Sequence, residues 1–170
     1  VVMGSCRMLN VLLGMSFAAG FLAPDQLVVA GGLGIYVAGI TCFARCEAKT
    51  SDRKKLVLGL SMMAAGIAVV GCLPWVSPQP LLLKSPGLVP EVLVWPVVLA
   101  LVMFSVGRRC VIAISNPDPS NVQRAVKHSI FSLVVLDAAI VLAVVGPTYA
   151  IGVVALLIPT VLLGKWVYST

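Results

Sequence analysis

The sequence predicts an all-α, polytopic transmembrane bundle of about six spans, on three observations. Of its 170 residues, 60% are apolar and only 11% are charged, and mean hydropathy is +1.09. Such a chain has lipid rather than water as its solvent. The apolar residues gather into segments close to the roughly 17–25 residues that cross a bilayer core. They run at about Leu9–Leu22, Leu27–Phe43, Leu56–Leu73, Val92–Val106, Ile130–Val145 and Tyr149–Val167. Threading these alternately puts eleven of the twelve Lys and Arg residues on one side, namely Arg7, Arg45, Lys49, Arg53, Lys54, Lys55, Arg108, Arg109, Arg124, Lys127 and Lys165, with Lys84 opposite. The positive-inside rule makes that side cytoplasmic.

Each element has a local reason. The first segment follows Val1-Val2-Met3-Gly4 with no secretory signal pattern, and the chain reads as part of a longer one, with further helices preceding it. Asn10, Gly14, Ser16 and Gly20 punctuate this segment, and Gly31, Gly32, Gly34, Tyr36, Gly39 and Thr41 the next. In lipid, small residues let helices approach closely, so the first two spans are expected to meet through Gly14 and Gly20 against the Gly31–Gly39 face. Ala23-Pro24-Asp25-Gln26 reads as the tight turn between them.

The basic loop Arg45–Lys55 leads into the third span. The stretch from Pro74 to Pro90 then carries five prolines and Trp75, a composition that suits an interfacial loop. After the fourth span, Gly107–Lys127 reads as a second basic connection. Asn116-Pro117-Asp118-Pro119 breaks any helix there, and Ser120, with Gln123 at the capping-box position, is placed to start the next. That helix is expected to continue into the span holding Asp137. Gly146-Pro147 predicts a short last turn and a final antiparallel hairpin.

Composition also narrows the function classes. A net charge of +6 would point a soluble protein toward nucleic acid. Here it sits in short loops beside spans, where topogenic charge facing anionic lipid accounts for it, and no nucleic-acid partner is expected. Five cysteines without paired spacing and the single His128 make no metal-ligand pattern. Residues 1–170 read as one transmembrane helical domain.

Three features carry candidate chemistry. Arg45 and Lys49 are one helical turn apart, on one face at the membrane surface, a pair that suits a diphosphate. Asp137 is nearly central in an apolar span, where a carboxylate must face the interior or a wet cavity. Asn10, Tyr36 and Thr41 are polar groups on the first two spans.

Taken together, Arg7-Met8-Leu9-Asn10-Val11-Leu12-Leu13-Gly14, the run Tyr36-Val37-Ala38-Gly39-Ile40-Thr41-Cys42-Phe43-Ala44-Arg45-Cys46-Glu47, and Val122-Gln123 ahead of Leu136-Asp137-Ala138 resemble the C-terminal half of the UbiA superfamily of intramembrane prenyltransferases. Within it they look most like a bacterial branch related to the EboC-type proteins. The resemblance extends from about Arg7 to the last helix. It implies part of a nine-helix fold, an isoprenyl diphosphate bound with Mg2+ at the cytoplasmic mouth, and transfer of the prenyl group to a lipophilic or aromatic acceptor. Asn10, Tyr36, Thr41, Arg45 and Lys49 would then touch substrate and Glu47 would be the metal-facing acid. The family's second acidic motif falls at about Ala44 and Ala48 here, leaving Glu47 and Asp52 as the nearby acids, and the isolated half is expected to be inactive. The expected location is a bacterial plasma membrane with the basic loops cytoplasmic. The competing expectation is a non-catalytic transporter subunit or lipid-binding scaffold that kept the fold without the metal site.

Overall fold

A computed structural model describes residues 2–19, 23–45, 53–77 and 91–155, with side chains for all of these but 17–19, 91–94 and 147. The described chain is all-helical, with no strand. Its elements are α1 (Val2–Ala19), α2 (Pro24–Ala44), α3 (Arg53–Gly71), the short α4 (Leu73–Val76), α5 (Glu91–Ser115), α6 (Pro119–Val144) and α7 (Pro147–Ala155). Four stretches are long and apolar enough to cross a membrane: Pro24–Ala44, Arg53–Val76, Trp95–Ser115 and Pro119–Val144. By length and composition this is a helical membrane protein. Against the six spans expected, α1 and the described part of α7 fall outside that set of four.

These four stretches form an up-down-up-down bundle. α2 packs on α3, α3 on α5, α5 on α6, and α6 returns to α2, while α1 flanks α2 and α7 flanks α6. Arg53, at the start of α3, donates from Nη2 to the Ser115 carbonyl at the end of α5, 3.3 Å away. This bond puts the start of α3 and the α5–α6 turn at one end of the bundle, called here the basic end. The buried side chains of α2 fall at Val29, Leu33, Tyr36, Ile40 and Phe43, and those of α5 at Trp95, Leu99, Val102, Val106, Cys110 and Ala113. Their spacings of three and four trace an a/d-like stripe down each helix, the pattern of left-handed bundle packing.

Glycine sets the tightest seam. Gly32 and Gly39 on α2 meet Gly66 and Gly59 on antiparallel α3. A Cβ on Gly66 would lie 2.7 Å from both the Gly32 carbonyl oxygen and the Tyr36 nitrogen, and one on Gly39 would lie 2.8 Å from the Gly59 carbonyl oxygen. Each pair of glycines is seven residues apart, so one face of each helix is left bare and the backbones approach until they touch. The expected neighbours α1 and α2 do pack together, but not through the glycines expected. Gly4 sits on Gly34 and Ala38, whereas a Cβ on Gly14 would meet nothing within 4 Å; Gly20 lies outside the described residues. The physical reason is register, since antiparallel α1 lays its beginning against the middle of α2.

Several boundaries also move. Ala23–Gln26 is the capped start of α2 rather than a free turn: Pro24 takes the first helical turn, where no amide proton is needed. The Gln26 side chain accepts the Ala23 N–H at 3.4 Å. α5 runs on through Arg108 and Arg109 to Ser115, so the expected 107–127 connection shrinks to residues 116–118. α6 is capped at Asp118 with Pro119 in its first turn, not at Ser120. The Ser120 hydroxyl instead donates to Asp118 Oδ2 at 2.6 Å. Proline at the first helical position outweighs serine one residue on, because its fixed φ already suits the helix. α6 does continue unbroken into the segment with Asp137, and Gly146, at φ +118°, makes the sharp turn into α7. Residues 78–90 of the proline-rich stretch lie outside the described residues.

Candidate functional site

Arg7 and Asp137 form the centre of the site. α1 begins at Val2, earlier than its apolar run suggested, so Arg7 stands inside a helix rather than in a flanking tail. The Gly4–Gly34 contact sets its level near the middle of α2. From there its guanidinium crosses to α6 and donates from Nη2 to Asp137 Oδ2. Each group explains the other. A carboxylate or a guanidinium alone in an apolar span is costly, and opposite charges on two helices reduce that cost by pairing. The pair is not sealed: the side chains are 33% and 23% exposed. Arg7 Nε is buried and has no hydrogen-bond partner among the described residues. Asn10, three residues on along the same face of α1, is exposed. An open, polar, charged strip at span depth belongs against a wet cavity or another polar surface, because lipid tails offer it no partner.

The other expected residues are placed differently. Tyr36 is fully buried on α2, and its hydroxyl donates to the Ser129 carbonyl of α6 at 3.2 Å. Thr41 donates to the Val37 carbonyl of its own helix at 2.9 Å. Ser129 and Ser132 do likewise, to Ala125 and His128. Hydroxyls in apolar surroundings satisfy themselves on the nearest carbonyl. Arg45 is exposed just past the end of α2. Thr41 and Arg45 thus share the basic end, while Asn10 lies six residues beyond Gly4 on antiparallel α1, about 9 Å farther from that end. The structure brings Asn10 to Arg7 and Asp137 rather than to Thr41 and Arg45. Glu47 and Lys49 lie outside the described residues.

Among the described residues no group of three His, Cys, Asp or Glu could hold a metal ion. Mg2+ requires an octahedral shell of oxygen donors, and Asp137 already serves Arg7.

Two further features escaped sequence reasoning. An apolar cavity of about 760 Å³ lies between α3, α4 and α5, toward the end opposite the basic one, with Ile67, Trp75, Trp95, Leu99 and Met103 among its walls. Trp95 is 2% exposed, and its indole N–H is buried without a partner. Apolar walls with one orienting polar group are the usual make-up of a small-molecule site. The second is a cationic hollow between α5 and α6 lined by Arg109, Arg124, Lys127 and His128. Of the Arg7–Asp137 pair, Asp137 had a readable signal, a lone charge in an apolar segment, whereas Arg7 read as a basic residue flanking the first segment. The cavity had none, since its residues resemble every other lipid-soluble side chain in the chain. No family model, curated protein or solved structure matches this chain.

Proposed function

We propose that this chain is the C-terminal helical half of an intramembrane prenyltransferase, which moves a prenyl group from an isoprenyl diphosphate to a lipophilic acceptor. The observation that carries the reading is the Arg7–Asp137 pair with Asn10 beside it, an open polar strip at span depth. Such a strip has a use where an anionic head must enter among apolar helices. Arg7 would offer its unpartnered Nε–H toward the diphosphate while Asp137 holds the guanidinium in place. Asn10 would add a neutral donor. The apolar cavity beside Trp95 has the size and lining for a prenyl chain or lipophilic acceptor, with the indole N–H available to a carbonyl or ether oxygen. At the basic end, away from this strip, Arg45, Lys49 and Glu47 with Mg2+ would first meet the diphosphate at the cytoplasmic face of a bacterial plasma membrane.

A second reading has its own support. Tyr36 and Thr41 direct their hydroxyls to the protein's own backbone, which suits a scaffold that keeps a prenyltransferase-like fold without transfer. The deciding experiment is photolabelling of the full-length protein in lipid nanodiscs with a diazirine-bearing isoprenyl diphosphate and Mg2+. The transferase reading expects labelling on α1 around Asn10 that unlabelled isoprenyl diphosphate competes away, and prenyl transfer that falls by about 10²–10³ in Asn10→Leu. No competable labelling would leave the scaffold reading in its place.

A further inference from the structure

The α5–α6 groove differs in make-up from the strip on α1. Arg109, Arg124, Lys127, His128 and Phe131 line a hollow of about 400 Å³, and no carboxylate is among its walls in the described residues. A second hollow of about 260 Å³ continues from it, sharing His128 and Phe131 and running on along Leu101, Val102 and Val135. At the junction Ser105 Oγ and His128 Nε2 are 2.8 Å apart, which holds the imidazole in position. Together the two make one groove with a cationic head and an apolar trough. From Arg124 to Val135 the trough follows eleven residues of α6, about 16 Å along the axis, close to the half-thickness of a bilayer core of about 30 Å. The head lies about two to three turns from the α5–α6 turn, where long cationic side chains can snorkel toward the headgroup layer at that end. Leu101 and Val135 are exposed, as are neighbouring Phe104 and Ile130, so the trough opens sideways onto lipid.

We propose that this groove binds an anionic phospholipid of the surrounding bilayer. Arg109, Arg124 and Lys127 hold the phosphate, and one acyl chain lies in the trough past Phe131. Basic hollows between transmembrane helices recognise anionic headgroups in this way, and the guanidinium forks of Arg109 and Arg124 match phosphate oxygens. Two observations favour a membrane lipid over an isoprenyl diphosphate. The trough opens toward the bilayer, and among the described residues no carboxylate lines the head to hold the metal ion that a diphosphate usually carries. The site stands apart from the proposed transferase strip and does not depend on it.

The test compares retention of phosphatidylglycerol and phosphatidylcholine by the full-length protein, read by native mass spectrometry from mixed nanodiscs. Wild type is expected to keep phosphatidylglycerol preferentially. Each lining cation removed should weaken that preference about fivefold, so Arg109→Gln/Arg124→Gln/Lys127→Gln should nearly abolish it. The charge-matched control Lys54→Gln/Lys55→Gln/Arg108→Gln, whose residues do not line the groove, should retain it. Val135→Trp, which fills the trough and leaves every cation in place, should lower it as well. Should the triple lining variant fail to fold, Arg124→Gln alone must show the fivefold loss. The proposal is overturned by a wild type without preference, by an equal loss in the control, by an unaffected Val135→Trp, or by an unaffected Arg124→Gln. Displacement of phosphatidylglycerol by equimolar geranyl diphosphate would also overturn it, by assigning the groove to substrate.

Discussion

Arg7 shows how much one residue's meaning depends on its partner. Alone it adds to a tally of basic residues; opposite Asp137 it becomes half of an ion pair inside the helical layer. Removing one partner strands the other, whereas removing both leaves an apolar contact. Arg7→Met should therefore destabilise the bundle by about 2–3 kcal/mol, the insertion cost of a lone Asp in a span. Arg7→Met/Asp137→Leu should recover much of that loss. Unfolding titrations in mixed micelles would measure the cycle, and a double variant worse than the sum of its singles would contradict the pairing. Tyr36 makes a complementary case. Its hydroxyl bonds the Ser129 carbonyl, and interhelical bonds of this kind in membranes average about 0.6 kcal/mol. Tyr36→Phe should lose roughly that and no more, with prenyl transfer by the full-length protein unaltered. A drop in transfer of about 10² at full stability would instead put the hydroxyl on substrate.

At the scale of elements, the α2–α3 seam is the part least tolerant of change. Its glycines let the two backbones touch, and a methyl group on Gly66 would meet backbone atoms that cannot swing aside. Gly66→Ala should cost about 1–3 kcal/mol through overpacking, despite alanine's better helix propensity. Gly14→Ala, with nothing within 4 Å of the added carbon, should be neutral or stabilising by up to about 1 kcal/mol. Thermal unfolding followed by helicity compares the two, and an equal response at both positions would refute the seam. The glycine string on α2 was legible as a close-approach face, yet its partner was not. Gly59 and Gly66 lie in an apolar run that carries no sign of which helix they meet.

For the whole molecule, the Arg53–Ser115 bond and the antiparallel order put Arg45, Arg53, Lys54, Lys55, Arg108, Arg109, Arg124 and Lys127 toward one end. By the positive-inside rule we propose that this end is cytoplasmic. On a background without native cysteines, Asn116→Cys at the basic end and Thr148→Cys at the α6–α7 turn should react with an impermeant thiol reagent from opposite sides of the membrane. Reaction of both from the same side would break the threading.

Hydrophobicity alone determined the all-helical membrane class, because an unpaired backbone is intolerable in lipid and long apolar runs leave the helix as the solution. Basic residues, carried on the helices near one end rather than in the connections, marked that end of the bundle by the same solvation logic. Which face of each helix is buried was decided only by the tertiary structure, since lipid-facing and core-facing side chains are equally apolar here. Exposed Leu101 and buried Leu99 differ in surroundings, not in chemistry. The site followed the same division. Asp137 announced itself as a costly charge that needed a partner, but that partner stands 130 residues away on α1, and only packing α1 and α6 around α2 brings the two charges together.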